Sequence, residues 1–389
     1  MNPWGYVIGI RPAKILYDYL QRGLSADEAV RKFCDTYRAS EEKACMVTEI
    51  AKHQMSILSG YNQNDICLYI GIPFCKSRCL YCSFVTSTAE RTEHLTQQYI
   101  EALQQEMQYT AALLAKTNYN IVSLYIGGGT PTALSCEQLA SVIDNCYKYF
   151  DLSSMIEFTV EAGRPDTIDE EKLLIMKDKK VTRISINPQT MNDRTLNFIG
   201  RHHTAQQIVD CYNLAVKCGF DDINMDLIAG LPSETLDDFK NTINLTEQLS
   251  PASTTVHTLS VKRGSRLHET LDVYTMPSEQ TVCDMIDYAY KTLTAAGKTP
   301  YYLYRQKNMV GNFENIGYAR DGFECLYNIM IMEEITSIFS VGCGGVTKIV
   351  GLPEKKIERI FNVKEVYDYI KRIDEMCKRK DIVLNWLKN

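Results

Sequence analysis

Cys75, Cys79 and Cys82 stand in a C-x3-C-x2-C run within Gly71-Ile-Pro-Phe-Cys-Lys-Ser-Arg-Cys-Leu-Tyr-Cys82, with Tyr81 just before the last thiol. Three thiolates so closely spaced can each ligate one iron of a cubane [4Fe–4S] cluster, because a short loop wraps one cluster face. Such a cluster normally takes four cysteines, so three leave one iron open. An open iron that binds a small chelating cofactor turns an electron carrier into a reactive centre. Two other readings stand beside this one. Zinc usually takes two separated C-x2-C or C/H pairs, and no second pair of that kind occurs. With 14 cysteines in 389 residues, buried structural thiols are the other reading.

A cluster loop needs a rigid scaffold, and from residue 66 the chain alternates strands and helices. Strands are expected at 66–72, 121–126, 157–161, 182–187, 222–228 and 254–260. Between them lie amphipathic stretches, such as Leu95, Tyr99, Leu103 and Met107, or Ile208, Tyr212, Leu214 and Val216. Six successive β–α units predict a parallel sheet with right-handed crossovers, either an open doubly wound sheet or an incomplete barrel. In a barrel the reactive groups sit at the C-terminal ends of the strands.

That rule gives several residues one address. After the second strand comes Gly127-Gly-Gly-Thr-Pro-Thr132, whose glycines let backbone groups approach a ligand, or simply turn the chain. In the third, alternation puts Glu157, Thr159 and Glu161 on one face, so an inward Glu161 needs a compensating partner. In the fifth, Asp226 is an acid among apolar residues. It should meet donors such as ligand hydroxyls, or cap the strand end. Lys262, Arg263 and Arg266 after the sixth strand suit an anionic ligand, although exposed charge is the commoner explanation. His202 and His203 are adjacent and read as loop or cap residues, with a proton-transfer role open. Cys343, in Ser340-Val-Gly-Cys-Gly-Gly-Val346, reads as a buried small residue, with a reactive thiol as the alternative.

The first sixty residues read as helical. Ser25-Ala-Asp-Glu28 has the capping-box pattern, and Ser40 can cap a further helix carrying Met46, Val47, Ile50 and Ile57. Beyond about residue 270 the alternation fades, and the charged stretch from Glu354 through Arg379 reads as one exposed helix. The expected division is 1–60, an accessory helical segment; 61–265, the barrel; and 266–389, a C-terminal extension. A formal charge of −6 disfavours general nucleic-acid binding. No stretch approaches the roughly 18 apolar residues of a membrane span, and no secretory signal is visible. Many cysteines without a signal point to a reducing cytoplasm.

The C-x3-C-x-aromatic-C run is similar to the signature of the radical S-adenosylmethionine (SAM) enzymes. Tyr69-Ile-Gly-Ile-Pro-Phe-Cys75 and Cys79-Leu-Tyr-Cys82-Ser-Phe84 resemble the oxygen-independent coproporphyrinogen III dehydrogenases and their relatives. Trp4-Gly-Tyr-Val-Ile-Gly-Ile-Arg-Pro12 and Tyr304-Arg-Gln-Lys-Asn-Met309 resemble the HemZ-type branch among them. The resemblance implies an α/β fold, a partial (β/α)6 radical-SAM barrel with an N-terminal helical segment and a C-terminal α/β extension closing the barrel mouth. It implies a [4Fe–4S] cluster on Cys75, Cys79 and Cys82, and one SAM molecule or two. The SAM contacts it implies are Tyr69, Tyr81, Gly128, Gly129, Thr130, Glu161, Gln189, Arg201 and Asp226.

The implied chemistry is reductive cleavage of SAM, hydrogen removal from two coproporphyrinogen propionates and their decarboxylation to vinyl groups, giving protoporphyrinogen IX. The implied partners are a porphyrinogen or heme-like molecule and an electron donor such as flavodoxin or ferredoxin. Phe84 stands where one branch has a further cysteine, and the His-Asn-x-x-Tyr-Trp string of the heme-chaperone branch is not found. A heme chaperone and a radical enzyme acting on heme or another substrate are the alternatives on the same scaffold.

Overall fold

The computed structural model describes residues 3–7, 11–83, 89–305, 311, 313–351 and 356–383. The N-terminal segment forms α1 (Pro12–Gln21), α2 (Ala26–Tyr37) and α3 (Glu41–Leu58). The Ser25 hydroxyl accepts the Glu28 N–H while the Glu28 carboxylate accepts the Ser25 N–H, a reciprocal cap that starts α2. Ser40 caps α3 in the expected way.

The six expected strands form as β1 (Asp65–Ile72), β2 (Asn120–Gly128), β3 (Glu157–Gly163), β4 (Arg183–Ile186), β5 (Asp222–Ala229) and β6 (Ser253–Thr258). Helices follow them in turn: α4 (Ala89–Leu114), α5 (Cys136–Tyr149), α6 (Glu170–Asp178), α7 (Asp193–Phe198), α8 (Ala205–Lys217) and α9 (Leu236–Leu249). The strands pair in parallel in the order β1-β2-β3-β4-β5-β6. A doubly wound sheet reverses its strand order at a switch point. This order runs without reversal, as in the wall of a barrel, and the fold is the partial (β/α)6 barrel.

Alternation along these strands puts hydrocarbon outside and polarity inside. Outward residues such as Leu68 and Ile70, Leu124 and Ile126, Phe158 and Val160, Ile184, and Ile223 merge with the helices in one core. The opposite face presents Tyr69, Tyr125, Thr159, Glu161, Ser185, Asn224, Asp226, Thr255 and His257 to internal cavities. A polar barrel interior is expensive unless something occupies it.

The C-terminal residues give α10 (Arg266–Glu269), α11 (Glu279–Ala295), β7 (Thr299–Arg305), β8 (Glu314–Ala319), α12 (Leu326–Glu333), β9 (Ile338–Val341), β10 (Val346–Gly351), β11 (Lys356–Phe361), α13 (Val366–Lys371) and α14 (Ile373–Arg379). These strands extend the sheet at both sides: β8 and β7 beyond β6, and β9, β10 and β11 beyond β1. The stretch expected as one exposed helix to Arg379 is therefore a strand and two short helices. Lys356–Phe361 pairs with β10, and Tyr369, Met376 and Cys377 are buried; Glu354 lies outside the described residues.

Two buried carboxylates pin this extension. Glu157 accepts the N–H groups of Leu326 and Tyr327 at 2.6 and 3.1 Å, fixing the start of α12 inside the barrel. Glu106 on α4 accepts from Gly342 N–H (2.8 Å), Asn362 Nδ2 (2.7 Å) and the Tyr369 hydroxyl, and pairs with Lys380 at 2.8 Å. The 340–346 glycine loop packs where little else fits. A Cβ on Gly342 would lie 2.5 Å from the Gly71 carbonyl oxygen, at the root of the cysteine loop. Cys343 belongs to this contact, its thiol donating to the Lys364 carbonyl oxygen at 2.8 Å.

The N-terminal segment is fastened to the extension. Trp4 Nε1 and Lys43 Nζ converge on the fully buried Glu314 of β8 at 2.5 and 2.7 Å. Glu334, just past α12, collects Arg11 (2.8 Å), Lys14, Lys348 and Arg359 (3.1 Å each). Burial alone would raise this carboxyl, but Arg11 and Lys348 outweigh it and bring it down to about 2. A carboxyl lowered in the folded state adds stability above its unfolded value of about 4.3, and that stability is lost as pH falls towards 2. Glu334→Gln should therefore cost on the order of 2 kcal/mol at pH 7 and far less at pH 2.5. Thermal melts at the two pH values check this; equal losses at both would refute it. Among the described residues no helix is long and apolar enough to cross a membrane.

Candidate cluster and cofactor site

The cysteine loop leaves β1 and is stitched to the strand ends around it. Gly129 N–H donates to the Ile72 carbonyl and Thr130 N–H to the Phe74 carbonyl, both at 2.7 Å. A Cβ on Gly129 would sit 2.5 Å from the Phe74 carbonyl oxygen, and Gly128 has φ +112°. The glycine run is thus required first by its contact with the cysteine loop. Thr130 Oγ1 reaches Cys75 Sγ at 3.3 Å.

Just past β3, Arg164 donates to the Ser77 hydroxyl at 2.8 Å and to its carbonyl at 3.1 Å. After α7, the Ile199 carbonyl accepts Leu80 N–H (2.9 Å) and the Gly200 carbonyl accepts the Ser77 hydroxyl (2.8 Å). After β6, Leu267 N–H donates to the Leu80 carbonyl at 2.9 Å and Arg266 to the Arg78 carbonyl at 2.6 Å. Backbone held from so many sides presents its thiols in fixed positions. Arg266, expected as exposed charge or an anion ligand, ties down this loop. Lys262 and Arg263 do not line the cavity beneath it. Phe84 lies outside the described residues.

That cavity measures about 310 Å³ and is lined by Cys75, Cys79 and Cys82 together with Tyr69, Tyr81, Gly128, Gly129, Thr130, Glu161, Gln189, Arg201 and Asp226. All the candidate cysteine and cofactor residues from the sequence meet there. Ser77, Arg78, Arg164 and Asn187 also line it; as single polar residues in loops they carry no sequence signal. His202 is exposed and His203 buried, and neither lines the cavity. Burial, with Arg201 nearby, lowers His203 to about 4, so it is neutral near pH 7.

The electrostatics are those of a site prepared for charge. Burial pushes the Cys75 thiol up to about 12, against Thr130 and with Cys79 and Cys82 adding to it. Neighbouring thiols resist joint ionisation until a metal takes the charge, so loading the loop releases protons. Burial also raises Glu161 to about 7, although Tyr125 Oη donates to it at 2.7 Å and Gly128 N–H at 3.3 Å. For Asp226, burial is outweighed by the nearby His257 imidazole together with the Asn224 and Thr255 side chains, which hold it below the usual carboxylate range. Asn224 Nδ2 donates to it at 2.7 Å.

Arg201 donates to the Asn187 carbonyl, while its Nε and the Asn187 Oδ1 are buried without a hydrogen-bond partner. Gln189 has φ +68°, a conformation that costs a non-glycine residue roughly 1–3 kcal/mol. Its backbone is clamped to β5, donating to the Asp226 carbonyl and accepting from Ile228 N–H, each at 2.9 Å. The strain sets the Gln189 side chain in the cavity wall beside Asp226.

Glu161 and Asp226 also line a second chamber of about 240 Å³, with Tyr125, Thr159, Ser185, His257 and Tyr304 in its wall. His257 is not among the sequence candidates. Alternation from Thr255 turns it inward, but one histidine in a threonine-rich strand gives no motif.

Three comparisons bear on this geometry. The Radical SAM superfamily profile matches residues 69–246. The chain is 38% identical over 380 residues to the oxygen-independent coproporphyrinogen-III oxidase-like protein HemZ of Bacillus subtilis, covering 97% of this chain and 76% of that protein. It is 31% identical over 318 residues to the heme chaperone HemW of the same organism, covering 79% and 76%. The solved structure of HemN, the coproporphyrinogen III oxidase of Escherichia coli, superposes with a TM-score of 0.63 at 22% identity, over 84% of this chain and 73% of that one.

Proposed function

The chain belongs to the radical SAM superfamily, in the family of oxygen-independent coproporphyrinogen III oxidase-like proteins and heme chaperones, and from that premise we propose that it is a coproporphyrinogen III dehydrogenase. The superfamily implies a [4Fe–4S] cluster and SAM. The observation that carries the reading is the single cavity in which three cysteines meet a glycine loop, two half-buried acids and an unpartnered arginine nitrogen.

The residues present fit those groups. Cys75, Cys79 and Cys82 would hold the cluster. The Arg201 Nε, buried with no partner, is a donor waiting for a carboxylate such as that of methionine. Glu161, raised towards neutrality by burial, is an acceptor that an ammonium would return to its ionised state. Asp226, kept ionised by its donors, can accept from ribose hydroxyls. Tyr69, Tyr81 and Gln189 give the same cavity aromatic and amide surface. Bound together, cluster and SAM supply one-electron cleavage that ends in abstraction of hydrogen from an unactivated C–H bond. The protein holds the acceptors and donors rigid and encloses the reacting volume, limiting side reactions with water. Each of two coproporphyrinogen propionates would lose a hydrogen atom, then carbon dioxide and one electron to a one-electron acceptor, and become a vinyl group.

Anaerobic incubation of the reconstituted protein with SAM, reductant and coproporphyrinogen III tests this. Monovinyl and then divinyl products are expected, at one consumed SAM per vinyl group. SAM cleavage without any vinyl product would sink the dehydrogenase reading. The second reading is a heme chaperone, favoured by the HemW relatives; stoichiometric transfer of bound heme to an acceptor, without vinyl products, would select it.

A further inference from the structure

The second chamber, below the cofactor cavity, has an occupant to account for. Thr159 Oγ1 and Ser185 Oγ, on neighbouring strands β3 and β4, line it and are buried without a hydrogen-bond partner. A buried hydroxyl that nothing meets is unfavourable. A chamber of about 240 Å³ has room for several waters at about 30 Å³ each. The Arg183 guanidinium in its wall is already engaged by Asp222, the Phe323 carbonyl and Ser253. Hydroxyls both donate and accept, which is what a chain of water requires. The chamber is therefore suited to hold water, and it is lined by the two carboxylates, Glu161 and Asp226, that also face the cofactor cavity.

On β6, His257 stands at the centre of this arrangement. Its Nδ1 lies 3.4 Å from Tyr304 Oη and its Nε2 lies 3.8 Å from Asp226 Oδ1. We propose that the chamber is a proton store for the cofactor cavity, with His257 as its final acceptor. The proposal rests on reading that cavity as a SAM site. An α-amino group is mostly ammonium below about pH 7.7, so a SAM amine would have to give up a proton before it could offer a lone pair to the open iron. In that event the N–H bond would break with its electron pair left on nitrogen. The proton passes to the Glu161 carboxylate and through chamber water to the His257 imidazole. No electron moves; ammonium plus imidazole becomes bound amine plus imidazolium.

Two groups lie within reach of the imidazolium. Asp226 offers a negative charge to the imidazolium, and Tyr304 Oη can accept from its other nitrogen. The remaining groups around the chamber do not compete for the proton. Burial pushes the phenols of Tyr125, Tyr302 and Tyr304 and the Cys325 thiol up, so they stay protonated, and Arg183 is paired with Asp222. Glu161, at about 7, is suited to pass a proton on rather than keep it once an ammonium is beside it.

Calorimetric titration of the anaerobic, cluster-loaded protein with SAM at pH 7.0, in two buffers of different ionisation enthalpy, counts protons given to solvent. His257→Gln should release most of one proton per SAM, and the wild type clearly less than the variant. Release of nearly a full proton by the wild type overturns the proposal, and this arm needs no variant to fold. Equal retention by wild type and His257→Gln also overturns it, leaving the proton on Glu161. No binding heat in either protein removes the SAM reading, and the proposal with it; SAM binding with full proton release removes the proposal alone.

Discussion

Cys79→Ala is expected to remove the iron-dependent visible absorbance of the reconstituted protein and to bring SAM cleavage to background. A cubane held by three thiolates loses a third of its protein ligands in that substitution, and Cys79 is the buried member of the set. The loop itself should survive. Its shape comes from backbone bonds to Ile72, Phe74, Ile199 and Leu80, none of which uses the Cys79 side chain. Far-ultraviolet circular dichroism and the melting temperature of the cluster-free protein should therefore match wild type. Retained absorbance together with retained cleavage would remove the three-cysteine assignment. A collapse of the fold would instead show that Cys79 is needed for packing.

Glu161→Gln should separate stability from cofactor binding. Burial raises the Glu161 carboxyl to about 7, above its unfolded value of about 4.3. A carboxyl raised in the folded state contributes full stability below the unfolded value and loses it as pH rises through the folded one. At pH 8 the protein without SAM carries a strained, ionised Glu161, at a cost on the order of 3 kcal/mol. The amide removes that charge but fits the Tyr125 and Gly128 donors less well, at about 1 kcal/mol. The variant should thus be more stable than wild type by about 2 kcal/mol at pH 8 and no more stable at pH 5. SAM affinity should fall roughly 10- to 100-fold, the loss of a charge-assisted hydrogen bond. Denaturant unfolding at both pH values and a SAM titration check the two halves. Destabilisation at both pH values, or unchanged SAM affinity, would contradict the assigned role.

The barrel is legible because its signal is local. Strands such as Ile66-Cys-Leu-Tyr-Ile-Gly-Ile72 and Asp222-Ile-Asn-Met-Asp226 show their two faces within a few residues. The cysteines, glycines and acids stand at or near the ends of those strands, so the strand pattern alone brings them to one end of the barrel. What escapes is set by distance in sequence. Glu106 reads as one more helix carboxylate, yet its partner Gly342 lies 236 residues away. Glu157 falls on the inner face with Glu161, but its role in starting α12 depends on Leu326 and Tyr327. The pairing of β9 with β1 has the same character. Arg266 reads as exposed charge because nothing local reveals that the Arg78 carbonyl faces it. His257 carries no motif, although its inward position on β6 follows from strand alternation.

If the loop of Cys75, Cys79 and Cys82 and the cavity beneath it form a working radical SAM site, the protein must cleave SAM reductively. The most direct measurement is chromatographic analysis of the anaerobically reconstituted, dithionite-reduced protein after incubation with SAM. Equal amounts of 5′-deoxyadenosine and methionine, growing with time and absent in Cys79→Ala, are the predicted result. A protein that carries a full [4Fe–4S] cluster and binds SAM, yet yields no 5′-deoxyadenosine above the Cys79→Ala background, would contradict it.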